Sequence, residues 1–423
     1  MNKTHSLKRL LALMLCALLL TCGTATAEET ADQVAATVNG VEVLQSEVDT
    51  IYNNLYSSYS TYIMYGYLTE EDVSGMALDY AVQLEVMRQK ATELGYTNFT
   101  EEELAQLESD TDAYWEELVG YVEANLYGLT DESTDEEKST ARLNALAYLE
   151  SQGYTRDDML EENKDSLWFD KLYAMIVEGA DVTDEEVEAY FNELVLEDEA
   201  SYKDDISTYE MYTQYYGYPA YYTPEGYRGI VQILLSVDDE VMSAYTELAA
   251  QLEEQISAIE AGEEGVEQTV TQAQVDEAAA AVLASVQPTV DEIMAKYNAG
   301  TAFTDLIDEY NTDPGMQSEP YRSEGYSVHM DSVIWDPAFI KAAFSVDKVG
   351  DVSEPVLGSY GVYLVQYLRD VPAGPVALTD ELRASLYEEL VSSKEDELFD
   401  TTMDGWMNEA EIVYATEPAA EAE

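Results

Sequence analysis

The chain has 423 residues, of which 87 are acidic and 19 basic, for a formal charge of −68 at neutral pH. That charge excludes nucleic acid and anionic lipid surfaces as partners. Such binding draws on basic side chains displacing counterions, and here the balance has the opposite sign. The length exceeds one ordinary core and implies two or three domains, and the charge itself means solubility by self-repulsion or attraction for basic clients and cations.

In chain order, Lys3, Lys8 and Arg9 precede an apolar run from Leu10 to Leu20, and Ala25-Thr26-Ala27 offers a small-x-small cleavage site before Glu28. This is the pattern of a secretory signal peptide, residues 1–27. The run is too short for a mature membrane span, and no later stretch is long and apolar enough for one. The pattern implies an exported protein, extracellular or in the cell envelope. The alternative is a lipoprotein anchored on the outer face of the cytoplasmic membrane through Cys22, although Leu20 and Thr21 stand where small residues are expected. Membrane proximity follows only in that case.

Cys16, Cys22 and His5 all lie in this leader, so the remainder has no cysteine and a single histidine, His329. Disulfides, thiolate nucleophiles and cysteine zinc sites are thereby excluded, as is any Ser-His-Asp triad that does not use His329. The acidic residues form no D-x-[DN]-x-[DN]-G calcium loop. No metal and no cofactor is expected.

Residues 34–43, VAATVNGVEV, predict a hairpin turning at Asn39-Gly40. A helix follows, with Ser46 and Asp49 as its capping box and Val48, Ile51 and Leu55 on its apolar face. Thr69/Asp72, Thr100/Glu103, Thr134/Glu137, Thr155/Asp158 and Thr183/Glu186 each precede a further periodic run, and Gly95 and Gly153 stand where helices end. Residues 46–200 are therefore an irregular series of acidic-faced helices without a fixed repeat.

Residues 202–227 are dense in tyrosine, with Pro219 and Pro224, and predict a linker or an ordered, tyrosine-lined crossing. RGIVQILLSV from Arg228 is a strand. Helices are predicted over 238–262, 273–286 and 290–297, with Gln287-Pro288 separating the last two. Phe303 to Tyr310 is a short helix, 311–315 a turn, GYSVHM a strand, Pro337–Phe344 a helix and VYLVQYL a strand. His329 is expected to be an exposed strand residue. Thr379 caps a long helix, 411–415 is a last strand, and the tail TEPAAEAE is expected to be disordered.

The pieces in order are Ile233-Leu234, Gly300 to Leu306 with Phe303, Tyr310 with Asp313-Pro314-Gly315, Phe339 with Ala342-Ala343-Phe344, Val349 to Val356, and Gly361 to Tyr363. Together they resemble parvulin-type peptidyl-prolyl isomerases over 228–370. The flanks are similar to SurA/PrsA-type extracytoplasmic foldases, in which a chaperone region opens the chain and is completed by its C-terminal helix and strand. The implied class is α+β: a mostly helical N-terminal chaperone-like domain and a parvulin, FKBP-like antiparallel-sheet domain with helices. The implied boundaries are 28–201, a linker at 202–227, 228–370 with a helical insertion at about 240–286, and a returning segment at 371–423 with an acidic tail.

The resemblance also implies a site. Where the family carries two histidines at the pocket floor, this chain has Gln232 and Tyr363. Asp313 matches the position at the pocket mouth, so Gln232 is expected to bond to Tyr363 or Asp313. Asp313, Gln232 and Tyr363 are the candidate catalytic residues; Trp335, Phe339, Met330 and Phe344 are the candidate substrate-binding ones. The implied activity is isomerisation of X-Pro bonds in unfolded or nascent exported polypeptides, coupled to chaperone binding. A non-catalytic holdase of the same architecture and an acidic surface spacer or adhesion protein stand as alternatives.

Overall fold

The structure, a computed structural model, describes residues 32–262, 265 and 267–415. The signal-peptide and Cys22 readings and the acidic tail lie outside the described residues. The described residues form two compact units, one of residues 32–183 with 387–415, the other of Asp184–Leu386.

In the first unit, strands Val34–Val38 and Val41–Leu44 form the expected hairpin. The turn needs left-handed backbone at both central positions, and Asn39 (φ 52°) and Gly40 (φ 81°) are residue types that tolerate it. Strand Ile412–Tyr414 pairs antiparallel with the first strand, so the end of the chain completes a three-stranded sheet. Helices Glu70–Glu93, Glu101–Tyr127 and Asp135–Ser151 start with the capping boxes at Thr69, Thr100 and Thr134, and Thr155 caps Arg156–Ile176. The first helix, Gln45–Met64, differs: it starts one residue before Ser46, and the Glu47 carboxylate accepts from the Leu44 N–H at 2.9 Å. The core joins Val38, Ile51, Leu55, Val73, Met87 and Leu172 with Phe399 and Met403 of helix Asp380–Glu409.

The second unit is built on a four-stranded antiparallel sheet in the order Tyr326–Val328, Arg228–Leu235, Gly361–Asp370, Val356–Gly358. Arg228–Leu235 is central and buried for almost its whole length, which is why its sequence runs apolar instead of alternating. Helices Gln272–Asn298, Phe303–Tyr310 and Pro337–Ala343 contribute Val282, Ile293, Leu306, Ile307 and Phe339 to the core around Ile230, Ile233 and Leu364. This is an α+β architecture.

Three expectations need correction. Pro288 does not break a helix: Gln272–Asn298 runs through it. Val282 and Val286 before the proline and Val290 and Ile293 after it bury in the same core, which offsets the roughly 3 kcal/mol cost of an internal proline. His329 is not exposed, its side chain retaining 13% of its accessible surface. Its strand ends at Val328, and the ring tucks against Tyr227 with centroids 5.1 Å apart. The capping box expected at Ser46/Asp49 is replaced by Glu47, because the Ser46 hydroxyl is engaged by Asp32.

The residues expected as a helical insertion, about 240–286, fall on helix Asp239–Glu260 and the first half of Gln272–Asn298, where Leu252, Val270 and Val275 form a small separate core. The tyrosine-rich segment is ordered. It forms a helical turn at Ile206–Tyr209, a turn of π-helix at Glu210–Tyr215 and strand Tyr222–Thr223, paired with Gly374–Pro375.

Candidate functional site

Antiparallel register starts the site. Leu234 faces Tyr363 across the central strand pair and Gln232 faces Val365. Gln232 is therefore a same-face diagonal neighbour of Tyr363. Both line a cleft of about 570 Å³, together with Asp313, Tyr326, Trp335, Asp336, Phe339 and Tyr360.

One wall of the cleft is polar. Gln232 is 6% exposed, and its Nε2 donates to Asp313 Oδ2 at 2.7 Å. The Tyr326 hydroxyl donates to the same oxygen at 2.9 Å, and the Gly315 N–H donates to Asp313 Oδ1 at 2.9 Å. Buried Asn311 ties this turn to the sheet: its Oδ1 accepts from the N–H groups of Leu234 at 2.9 Å and Asp313 at 3.1 Å. Gln232 Oε1 is buried and has no partner among the described residues, which is rare for a buried amide.

The second carboxylate, Asp336, caps helix Pro337–Ala343. It accepts from the N–H groups of Ala338 at 2.7 Å and Ser359 at 2.8 Å, and from the Tyr363 hydroxyl at 3.3 Å. The last distance is long for an O–H···O bond, so the phenol is loosely held. Burial, then the facing carboxylates Asp313 and Asp336, push the Tyr326 and Tyr363 phenols well above their ordinary range. Both stay neutral, as hydrogen-bond donors, at any physiological pH.

The adjoining part of the lining is aromatic. Trp335 and Phe339 stand edge to face with centroids 5.6 Å apart, and Phe339 lies 5.6 Å from Tyr363. Tyr326 packs 4.7 Å from Trp335, whose indole N–H is held by the Ser327 carbonyl at 3.1 Å. The result is an apolar aromatic cluster contiguous with two tyrosine–carboxylate pairs, Tyr326 with Asp313 and Tyr363 with Asp336.

Among the sequence-predicted residues, Gln232, Asp313, Tyr363, Trp335 and Phe339 come together around this cleft. Of the two partners expected for Gln232, it takes Asp313, and Tyr363 turns to Asp336. Met330 and Phe344 lie elsewhere. Met330 is 61% exposed on the loop after Val328. Phe344 follows its helix, roughly 140° around the axis from Phe339 by helical geometry, and its ring lies under the Arg228 guanidinium at 4.5 Å.

Sequence reasoning missed Tyr326, Asp336 and Glu210. Asp336 before Pro337 is a helix-start signal that was available. Glu210 carries no local signal. It is fully buried in the tyrosine-rich segment and accepts from the Ser332 hydroxyl and the Val333 N–H, each at 2.8 Å, and from the Tyr227 hydroxyl at 3.2 Å. It thus anchors the loop that carries Val333, Ile334 and Trp335 into the cleft.

No family model matches the chain. In sequence it is similar to foldase protein PrsA 2 of Listeria innocua, 31% identical over 103 residues, which are 24% of this chain and 33% of that protein. It is likewise similar to foldase protein PrsA of Halalkalibacterium halodurans, 30% identical over 122 residues, 29% of this chain and 30% of that one. The chain thus spans about a third of the length of the curated relatives it matches. Solved structures superpose loosely. PrsA from Bacillus subtilis does so at 16% identity with 91% and 96% of the two chains covered and a TM-score of 0.21. A SurA-like chaperone from Campylobacter jejuni does so at 13% identity, with 91% and 99% covered and a TM-score of 0.29. In sequence the chain is thus similar to PrsA foldases over about a quarter of its own length.

Proposed function

We propose that this chain is an extracytoplasmic foldase that isomerises X-Pro bonds in unfolded exported polypeptides and binds those chains as a chaperone. The observation that carries the reading is the aromatic cluster of Trp335 and Phe339 contiguous with the polar wall of Gln232, Asp313, Tyr326, Asp336 and Tyr363.

Rotation about an X-Pro bond faces a barrier of about 20 kcal/mol, held up by amide conjugation. No bond breaks and no proton needs to move between molecules. The site therefore has to bind the twisted amide better than the planar one, and each factor of ten requires about 1.4 kcal/mol of that preference. Trp335 and Phe339 hold the pyrrolidine ring. Twisting localises the lone pair on the prolyl nitrogen and makes it a hydrogen-bond acceptor. Tyr363, neutral and loosely held by Asp336, is the donor best able to turn toward it. Asp313 keeps Gln232 and Tyr326 in place along the wall. Neither role needs a histidine.

One observation favours a second reading, a holdase that grips proline segments and turns them over slowly. Both oxygens of Asp313 are already engaged by three donors, so this carboxylate gives the substrate little directly. NMR exchange spectroscopy on a Phe-Pro peptide with catalytic amounts of the full chain separates the two. Catalysed exchange that falls in Asp313→Ala and Phe339→Ala supports the isomerase. Exchange unchanged in both variants rejects the cleft as the site, and binding without exchange selects the holdase.

A further inference from the structure

Helices Glu101–Tyr127 and Asp135–Ser151 of the first unit close on a small core of Val119, Val122, Ala145 and Leu149, and helix Arg156–Ile176 packs beside the first of them. That core leaves many rings outside. Tyr114, Tyr121, Tyr148 and Tyr154 are 59%, 65%, 38% and 40% exposed, and they line a groove of about 880 Å³ with Leu118 and Leu167. The groove is distant in sequence from every residue of the cleft described above and belongs to a different unit.

Its charge is one-sided. Asp110, Glu162 and Asp170 line it, and no lysine or arginine does. Four of the five cations of these helices pair with carboxylates outside the groove lining, Arg142 with Glu116, Arg156 with Asp112, Lys164 with Glu161 and Lys171 with Glu103, each within 2.7 Å, and the fifth, Lys138, does not line the groove. Glu162 and Asp170 form no hydrogen bond or ion pair among the described residues. Burial, aided by Asp158 and Asp165, pushes the Glu162 carboxyl up from its ordinary range, the response of an acid that has lost part of its water and gained no partner; partial burial moves Asp170 the same way, although that residue stays exposed at the groove.

We propose that this groove binds cationic amphipathic peptide segments, in which lysine or arginine alternates with aliphatic residues. Charge complementarity selects the occupant. A neutral or acidic apolar segment would cover the carboxylates and leave them desolvated without a counter-charge. A lysine or arginine lays its methylene stem along the tyrosine rings and brings its head to Glu162 or Asp170, so both features of the groove are satisfied by one side chain. The inference rests on the chaperone half of the proposed function and names its client class. It is independent of turnover at the cleft, so a chain inactive on proline peptides still tests it.

The test is fluorescence anisotropy on the full chain with three labelled peptides of equal length: leucine/lysine at helical spacing, leucine/glutamate in the same pattern, and serine/lysine of the same charge. The leucine/lysine peptide is expected to bind about tenfold or more tighter than serine/lysine, and leucine/glutamate not at all, as apolar anchoring plus charge requires. Tyr114→Ala/Tyr121→Ala, at exposed positions that leave the small core intact, should weaken leucine/lysine binding about tenfold through lost aromatic anchors. The near-isosteric Glu162→Gln/Asp170→Asn should weaken it several-fold. Equal affinity for the leucine/lysine and serine/lysine peptides, or unchanged binding in both double variants, would overturn the proposal and reduce the attraction to the chain's overall charge.

Discussion

The cleft of the sheet unit and the groove of the helical unit are both aromatic pockets edged with carboxylates, yet they treat charge in opposite ways. In the cleft, Asp313 and Asp336 each receive three hydrogen bonds from backbone or neutral side-chain donors. These carboxylates fix the positions of phenols, an amide and a turn, and their charge is absorbed locally. In the groove, Glu162 and Asp170 receive none, and their charge is left for whatever enters. A carboxylate enclosed by donors shapes a site; one without donors selects a ligand. The same residue type thus organises an aromatic cleft in one unit and, on the proposal above, a cation-seeking surface in the other.

Substitutions break the comparison in graded steps. The largest effect is expected for Phe339→Ala. The ring is 2% exposed and packs on Trp335, Tyr326 and Tyr363, so its loss should cost about 3–5 kcal/mol of stability, read by urea denaturation of the full chain. Glu210→Ala comes next. It leaves the buried Tyr227 hydroxyl and the partly buried Ser332 hydroxyl and Val333 N–H without their acceptor, at about 1–3 kcal/mol by the same measurement. Because Glu210 is a positioning residue, its variant should also raise KM for a proline peptide more than it lowers kcat, and Glu210→Gln should recover part of both.

Tyr363→Phe sharpens the contrast between shaping and donating. Its 3.3 Å bond is weak, so stability should hold within about 0.5 kcal/mol, while a donor acting on the twisted amide should take about tenfold of turnover with it. A tenfold loss without destabilisation places the phenol in the reaction; unchanged turnover removes it.

The smallest effect is a pH dependence in the groove. Burial, then Asp158 and Asp165, push the Glu162 carboxyl up to about 7, against an unfolded value of about 4.3. Between those values the folded chain holds a proton that the unfolded chain has released. The contribution is therefore fully present below about pH 4 and is lost as pH rises through 7. Asp110 and Asp170 line the same groove. Glu162→Gln should melt above the parent at pH 8 and together with it at pH 4, by calorimetry. No difference at pH 8 would place Glu162 in free solvent and weaken the contrast between the two pockets.

Much of this was legible beforehand where the signal is local. The hairpin at Asn39-Gly40, the threonine capping boxes and the continuous apolar run of Arg228–Leu235 each follow from neighbouring residues. Gln232 stood out because an amide inside such a run needs a partner. Its partner, Asp313, is 81 residues away, and the choice between it and Tyr363 depends on where the 311–315 turn lands against the strand. Met330 and Phe344 were placed by motif order, which carries no information about the direction of a side chain around a short helix or on a loop. Glu210 was invisible, since nothing near it in sequence distinguishes a buried, thrice-bonded carboxylate from the solvated acids that crowd this chain.

What the sequence determined by itself is what short-range chemistry decides: turns, caps, periodic faces, an acidic surface and the order of motifs. The tertiary structure alone decided which acids are enclosed by donors and which are left bare, that Pro288 stays within a helix, and that Glu210 holds the cleft loop. Hydrogen-bond satisfaction and desolvation depend on groups brought together from distant positions, and only packing sets those distances.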